Sequence, residues 1–260
     1  MTHDNKAIYN AHWQAWVDMK RYGPANRWLR SLLVDVTHDI APEQVVTILD
    51  VGCGEGTNTA FLAEVFAHAD ITGIDFSSEG IRIANMHYAR EKLHFRFDDE
   101  SFVLKNYQFD LITSFDVLEH IHDWQAFLID MSNAANKYIL LAVPTGKMRP
   151  FEIKVGHLRN FKSNEIESFL AARGWRVKEA FYAGFPFYSP IYRDICNIFD
   201  VGDNDYVKGN YGFFTKVLCS VLFGLFAKCS TKRKWGDYFV GLFEKDTVSR
   251  ADDYAVRLLA

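Results

Sequence analysis

The chain reads as an α/β protein: a doubly wound, mainly parallel seven-stranded sheet, a helical cap before it, and a helical insertion before its last strand. Three observations predict this. Short β-prone runs alternate with amphipathic stretches five times between residues 45 and 143. The run at residues 47–51 passes straight into Gly52-Cys53-Gly54-Glu55-Gly56, and a helical pattern follows over residues 58–67. Two further apolar runs, at residues 175–182 and 238–243, are separated by about fifty residues that do not continue the alternation. At 260 residues the chain can bury one full core with elaborations.

The elements follow in order. Trp13, Trp16 and Val17, and then Trp28, Leu29, Leu32 and Leu33, fall at helical spacing, so residues 6 to 40 read as two helices broken at Gly23-Pro24. The first strand ends at Asp50 and the second, residues 70–75, at Asp75. A third, residues 93–97, is followed by Asp98 and Asp99. Residues 109–114 and 138–143 give strands four and five, the latter stopped by Pro144. After a loop to Asn160, Ser163 is the expected cap of a helix through Arg173, closed by Gly174. Strands six and seven flank the insertion, and a polar tail follows from residue 246. The expected division is a cap over residues 1–44, a core over 45–183 and 236–246, and an insertion over 184–235 that acts as a lid.

Composition narrows the partners. The formal net charge is −4 and the longest basic run is Lys232-Arg233-Lys234, which argues against a nucleic-acid partner. The four cysteines show no paired spacing, and the start is polar, so a reduced cytoplasmic protein without a signal peptide is expected. Within the insertion, the uncharged run 217–227 is too short to span a bilayer. It reads as a buried helix of the cap, a dimer face or a peripheral membrane contact.

The glycine turn carries the first chemical signal. Glycines let a backbone approach a ligand closely, and the helix entry behind them offers N–H groups. A dinucleotide fingerprint wants a third glycine where Thr57 stands, and Gly56 is one residue early. That argues against a nicotinamide-dependent reductase. Asp50, before the glycines, suits a ligand with an ammonium group better than a pyrophosphate. Asp75, 25 residues further on, ends strand two where an acid can hold ribose hydroxyls. No nucleophile elbow or phosphate-loop lysine occurs, and Cys53 reads as a small turn residue.

After strand four comes Phe115-Asp116-Val117-Leu118-Glu119-His120-Ile121, and after strand five Gly156-His157-Leu158-Arg159. If the first segment is helical, Asp116, Glu119 and His120 share one face. His120 and His157 are the candidate catalytic bases. Together with Asp116 and Glu119 they are also an alternative metal set, suited to Mn²⁺ or Fe²⁺ better than Mg²⁺. No metal is expected as the first reading.

These segments, in this order and spacing, resemble the class I S-adenosylmethionine (SAM) methyltransferases over residues 45–182 and 238–244. The resemblance implies a Rossmann-like fold with SAM as cofactor. It places Asp50, Gly52, Cys53 and Gly54 in the cofactor turn, Asp75 on the ribose and Phe76 against the adenine. Asp98 or Asp99 falls at the adenine amine, and Phe115 and Leu118 in the cofactor-flanking segment. The Gly-His-x-Arg pattern and Gly184-Phe185-Pro186-Phe187 resemble bacterial enzymes acting on small molecules. Arg159, Phe187, Tyr188 and Tyr192 are the expected acceptor contacts. The reaction so implied is O-methylation of a small molecule, a sugar or secondary metabolite. N- or C-methylation on the same fold and a SAM-binding protein without transferase activity are the alternatives.

Overall fold

The computed structural model describes residue 13 and residues 15–98, 108–198 and 209–246. Seven strands form one sheet in the order β3-β2-β1-β4-β5-β7-β6. They are β1 (Thr47–Val51), β2 (Asp70–Asp75), β3 (Leu93–Phe97), β4 (Phe109–Phe115), β5 (Ala135–Pro144), β6 (Trp175–Ala183) and β7 (Tyr238–Lys245). β1 to β5 pair in parallel, and β7 lies antiparallel between β5 and β6. This is the doubly wound class the sequence predicts. β5 begins three residues before the expected Tyr138, because Ala135 extends the pairing to Phe109.

β7 decides where the insertion goes. Tyr238 pairs with both Pro144 and Ala183, so β7 starts at the edge where β5 and β6 end. The chain therefore leaves the sheet after Ala183 and re-enters at Tyr238 on the same edge that carries the glycine turn and Asp75.

Helices cover both faces. α1 (residues 15–22) and α2 (Pro24–Thr37) precede the sheet. Pro24 occupies the first turn of α2, where its missing N–H costs nothing. Trp28, Leu29, Leu32, Leu33 and Val36 then form one buried stripe, each contributing about 1.5–3 kcal/mol. Leu32→Ala would cost about 2–5 kcal/mol. On this face α3 (Thr57–Val65) and α4 (Ser78–Tyr88) follow β1 and β2. α5 (Trp124–Ala134) and α7 (Glu165–Ala171) cover the other, over a second core around Leu118, Leu128, Ile139 and Phe243. α6 (Pro150–Lys154) lies in the loop after β5.

Two local expectations fail. Ser163 does not cap α7: Asn164 takes the N-cap position in the left-handed region, and Glu165 Oε2 instead accepts from the Lys162 N–H at 2.9 Å. The insertion holds a wide, irregular helical turn Phe187–Tyr192, α8 (Arg193–Ile198) and α9 (Phe213–Cys229). α9 packs on α2 but is not a buried helix, since only Cys219 and Phe226 on it are fully buried.

Candidate active site

At the C-terminal edge of β1 the backbone doubles back in left-handed conformations at Gly52 (φ 80°) and Gly54 (φ 57°). A Cβ on Gly52 would meet Val117 at 2.4 Å, and one on Gly54 would meet the Trp13 ring at 2.5 Å. Sterics and space together restrict both positions to glycine. The turn is sewn to β2: Gly52 and Cys53 donate their N–H groups to the Ile74 carbonyl at 2.8 and 3.0 Å. Asp75 Oδ2 accepts from the Gly54 N–H, and Oδ1 from the Ser77 N–H, each at 2.8 Å. Burial raises the Asp75 carboxyl to about 6 against these hydrogen bonds.

Above this edge lies a cavity of about 600 Å³. Gly52, Cys53, Gly54, Asp75, Phe76 and Phe115 line one end. Trp13, Trp16 and Trp28 from the N-terminal helices, and Tyr188, Tyr192, Leu218 and Leu222 from the insertion, form its walls. Trp28 and Tyr188 pack ring to ring at 4.6 Å.

The other end is polar. Asp116 adopts a left-handed φ of 55°, and the chain then closes a single 3-10 turn at Leu118–His120. Leu158 donates its N–H to the Glu119 carbonyl at 2.9 Å, which straps the loop after β5 to this turn. The strap brings His120 and His157 together, ring centroids 4.8 Å apart and nearly perpendicular. His157 Nε2 lies 4.0 Å from Glu119 Oε1. One ligand atom from each of Glu119, His120 and His157 lies within 4.8 Å of the others. Glu119 is fully buried, and among the described residues neither of its carboxylate oxygens has a hydrogen-bond partner; nor has His157 Nδ1. Burial holds His120 and His157 down at about 4, and the adjacent imidazole adds to the depression at His120. Burial, then the neighbouring Asp116, pushes Glu119 well above the usual carboxylate range. Burial thus favours the uncharged form of each of the three groups. Together they can take up a proton or, on losing that of Glu119, ligate a cation.

Residues 25–190, well over half of the chain, match the family model described as a methyltransferase domain. The chain belongs to the methyltransferase-domain family. Two curated relatives are O-methyltransferases. The malonyl-[acyl-carrier protein] O-methyltransferase of Bacillus cytotoxicus is 31% identical over 144 residues, 55% of this chain and 50% of that protein. The ubiquinone biosynthesis O-methyltransferase of Coxiella burnetii is 34% identical over 119 residues, 45% of each. The chain thus spans about half the length of these relatives or less. The solved plantazolicin methyltransferase BpumL, in complex with S-adenosylhomocysteine, shares the fold at a TM-score of 0.53 and 16% identity, over 93% of this chain and 95% of that one.

Within this methyltransferase domain, most of the expected residues meet at the cavity: Gly52, Cys53, Gly54, Asp75, Phe76, Phe115, His120, His157, Tyr188 and Tyr192. Six do not line it. Asp50 lies beneath, its carboxylate accepting from Thr59 at 2.6 Å and Thr113 at 2.7 Å, so it ties β1 to α3 and β4 rather than facing a ligand. The 3-10 turn sends Leu118 down into the second core. Phe187 packs against the first core, one position from the cavity-facing Tyr188. Arg159 donates to the carbonyls of Ile121 at 2.5 Å and His122 at 3.1 Å, so it braces the strap. Asp98 follows β3, its N–H donating to the Asp75 carbonyl at 2.9 Å, and does not reach the wall. The sixth, Asp116, lines the cavity but leaves the metal set: Tyr238 donates to its Oδ1 at 2.7 Å, and the ligand group has three members. Asp99 lies outside the described residues.

Sequence reasoning missed Glu152, Arg193 and Tyr238. Arg193, nearly fully buried, donates through Nε to Glu152 Oε1 at 2.9 Å and through Nη2 to the same oxygen. Its Nη1 donates to the carbonyls of Thr145 and Asp237, each at 3.1 Å. The Glu152 carbonyl in turn accepts from the His157 N–H at 2.9 Å. The insertion is therefore pinned to the loop that carries His157. Forty-one residues separate Glu152 from Arg193 in sequence, and no local pattern signals the pair.

Proposed function

We propose that this methyltransferase moves the methyl group of SAM to an oxygen of a small, largely apolar molecule held in the cavity. One observation carries the reading: the glycine turn with Asp75 and Phe76, and the Glu119–His120–His157 group, line the same cavity. SAM would lie with its ribose on Asp75 and its adenine on Phe76. The sulfonium would then face the polar end. In the reaction the acceptor oxygen forms a bond to the methyl carbon while the carbon–sulfur bond breaks, and S-adenosylhomocysteine leaves. The hydroxyl proton passes to an imidazole.

His157 fits the role of base best: the Glu119 carboxyl lies beside its Nε2 and, once ionised, would stabilise the imidazolium. His120 fits a supporting role. Its Nδ1 lies 2.9 Å from the Gly156 carbonyl, a contact that a ring N–H donates, so Nε2 is the acceptor of that tautomer. The O-methyltransferase relatives support oxygen as the target atom. The aromatic wall favours a hydroxylated secondary metabolite over a sugar. The insertion, with the N-terminal helices, would act as the lid that selects it.

A second reading rests on the two oxygens of buried Glu119, which have no hydrogen-bond partner among the described residues. A divalent cation held by Glu119, His120 and His157 would satisfy them, and would act as a Lewis acid on the acceptor oxygen. One carboxylate and two imidazoles suit Mn²⁺ or Fe²⁺ better than Mg²⁺.

S-adenosylhomocysteine release, measured with a panel of phenols, catechols, carboxylic acids and sugars, tests the proposal. Turnover with a phenol or catechol, unaffected by EDTA, is the expected result. Loss with EDTA and recovery with Mn²⁺ would move the assignment to the metal reading. SAM binding without release, across the whole panel and with Mn²⁺ added, would point to a binding protein.

A further inference from the structure

The solvent face of α9 is apolar. Phe214, Val217 and Val221 recur at helical spacing on it, and Phe214 is 85% exposed. Phe213 beside them is 75% exposed. The opposite face of α9 packs on α2 through Phe226 and Trp28. A helix apolar on both sides is ordinarily covered on both sides. Among the described residues nothing covers this one.

Charge and position identify the cover. Residues 209–235 hold five basic side chains and no acidic one, in a chain whose net charge is −4. Lys232 and Arg233 are paired, with Asp35 and Glu179. Lys228 and Lys234 are exposed and have no ion pair among the described residues. Trp235, next to Lys234, is 81% exposed. Leu218 of α9 and Ile195 of α8 are both exposed and both line the cavity, so its mouth opens beside this face. No described helix is long and apolar enough to cross a membrane.

We propose that α9 lies against the surface of an anionic bilayer, with Phe213, Phe214, Val217 and Val221 in the headgroup–acyl boundary and Lys228 and Lys234 on the lipid phosphates. Aromatic and aliphatic side chains on one face, flanked by lysines, suit that interface. A second copy of the chain on the same face would close the mouth of the cavity. A bilayer leaves an apolar acceptor a path from the lipid into it. The docking itself rests on exposure and charge; only the path for an acceptor rests on the methyl-transfer reading.

Vesicle flotation tests it. The protein is expected to float with vesicles of phosphatidylcholine and phosphatidylglycerol, and at least fivefold less with phosphatidylcholine alone or at 1 M salt. Phe214→Asp and Val221→Asp, at exposed positions outside the cavity wall, are expected to abolish flotation. Their melting curves and SAM affinity should stay unchanged, which separates lost docking from lost folding. Absence of flotation, or flotation indifferent to both substitutions, would overturn the proposal. So would a dimer in light scattering that Val221→Asp turns into a monomer without any vesicle binding.

Discussion

At the glycine-turn end of the cavity, backbone atoms set the geometry. Gly52, Cys53 and Gly54 give their N–H groups to β2 and Asp75, and all come from one short stretch and the next strand end. At the other end, side chains set it. Glu119, His157, Glu152, Arg193 and Tyr238 come from four separate segments, and their positions depend on a strap, a buried ion pair and a strand that enters backwards. The first end is specified by local sterics and tolerates little. The second is specified by tertiary contacts, so it can change its ligand while the fold stays the same.

The largest effect should come from the side-chain end. His157→Ala and Glu119→Gln are expected to lower kcat by about 10²-fold or more with SAM affinity near the wild type. Steady-state turnover beside calorimetry reads both quantities. Near-native kcat in both variants would remove the base and metal readings together, and with them the chemical half of the contrast.

The next effect tests the backbone end. Gly54→Ala forces a left-handed φ on a residue with a Cβ, and puts that Cβ 2.5 Å from the Trp13 ring. A loss of SAM affinity of about tenfold or more is expected, with kcat at saturating SAM less affected. Fluorescence titration measures it.

A smaller effect concerns the lid. Tyr192→Leu keeps an apolar wall but removes the ring, and is expected to raise the acceptor KM several-fold. SAM affinity should stay within about threefold. Equal changes in both would mean that the insertion serves the cofactor as much as the acceptor.

How much of this was legible in the sequence follows the same division. The strands and the glycine turn are local features whose patterns survive in isolation, and Asp75 ends β2 where the pattern puts it. Leu118 sits in the cofactor-flanking segment after β4, but a 3-10 turn, not an α-helix, sets which side chains there face up. Phe187 and Tyr188 differ by one position in an irregular helical turn, and no periodicity decides which ring enters the cavity. Asp50 has the chemistry of a ligand contact, yet two threonines from α3 and β4 claim its carboxylate. Arg159 has the chemistry of an acceptor contact, yet two carbonyls of the loop after β4 claim it. Competition for hydrogen bonds inside the fold is invisible in a linear motif.

The smallest effect is a pH dependence. In the proposed binding mode ionised Asp75 would accept from both ribose hydroxyls, whereas its protonated form has one oxygen occupied by hydrogen. With the carboxyl at about 6 in the free protein, SAM affinity should be flat above pH 7 and fall as pH drops through 6, by about twofold at pH 6. Calorimetry between pH 5 and 8 reads the curve, and an affinity that rises on acidification would reverse the assignment.

Calorimetric titration of SAM into Asp75→Ala and His157→Gln, side by side, tests the division of the cavity most directly. Asp75→Ala is expected to lose about 1.5–3 kcal/mol of binding, the scale of a hydrogen bond to a charged group, while His157→Gln binds within about threefold of the wild type. Unchanged affinity in a folded Asp75→Ala protein, or a loss at His157→Gln as large as that at Asp75→Ala, would contradict the account.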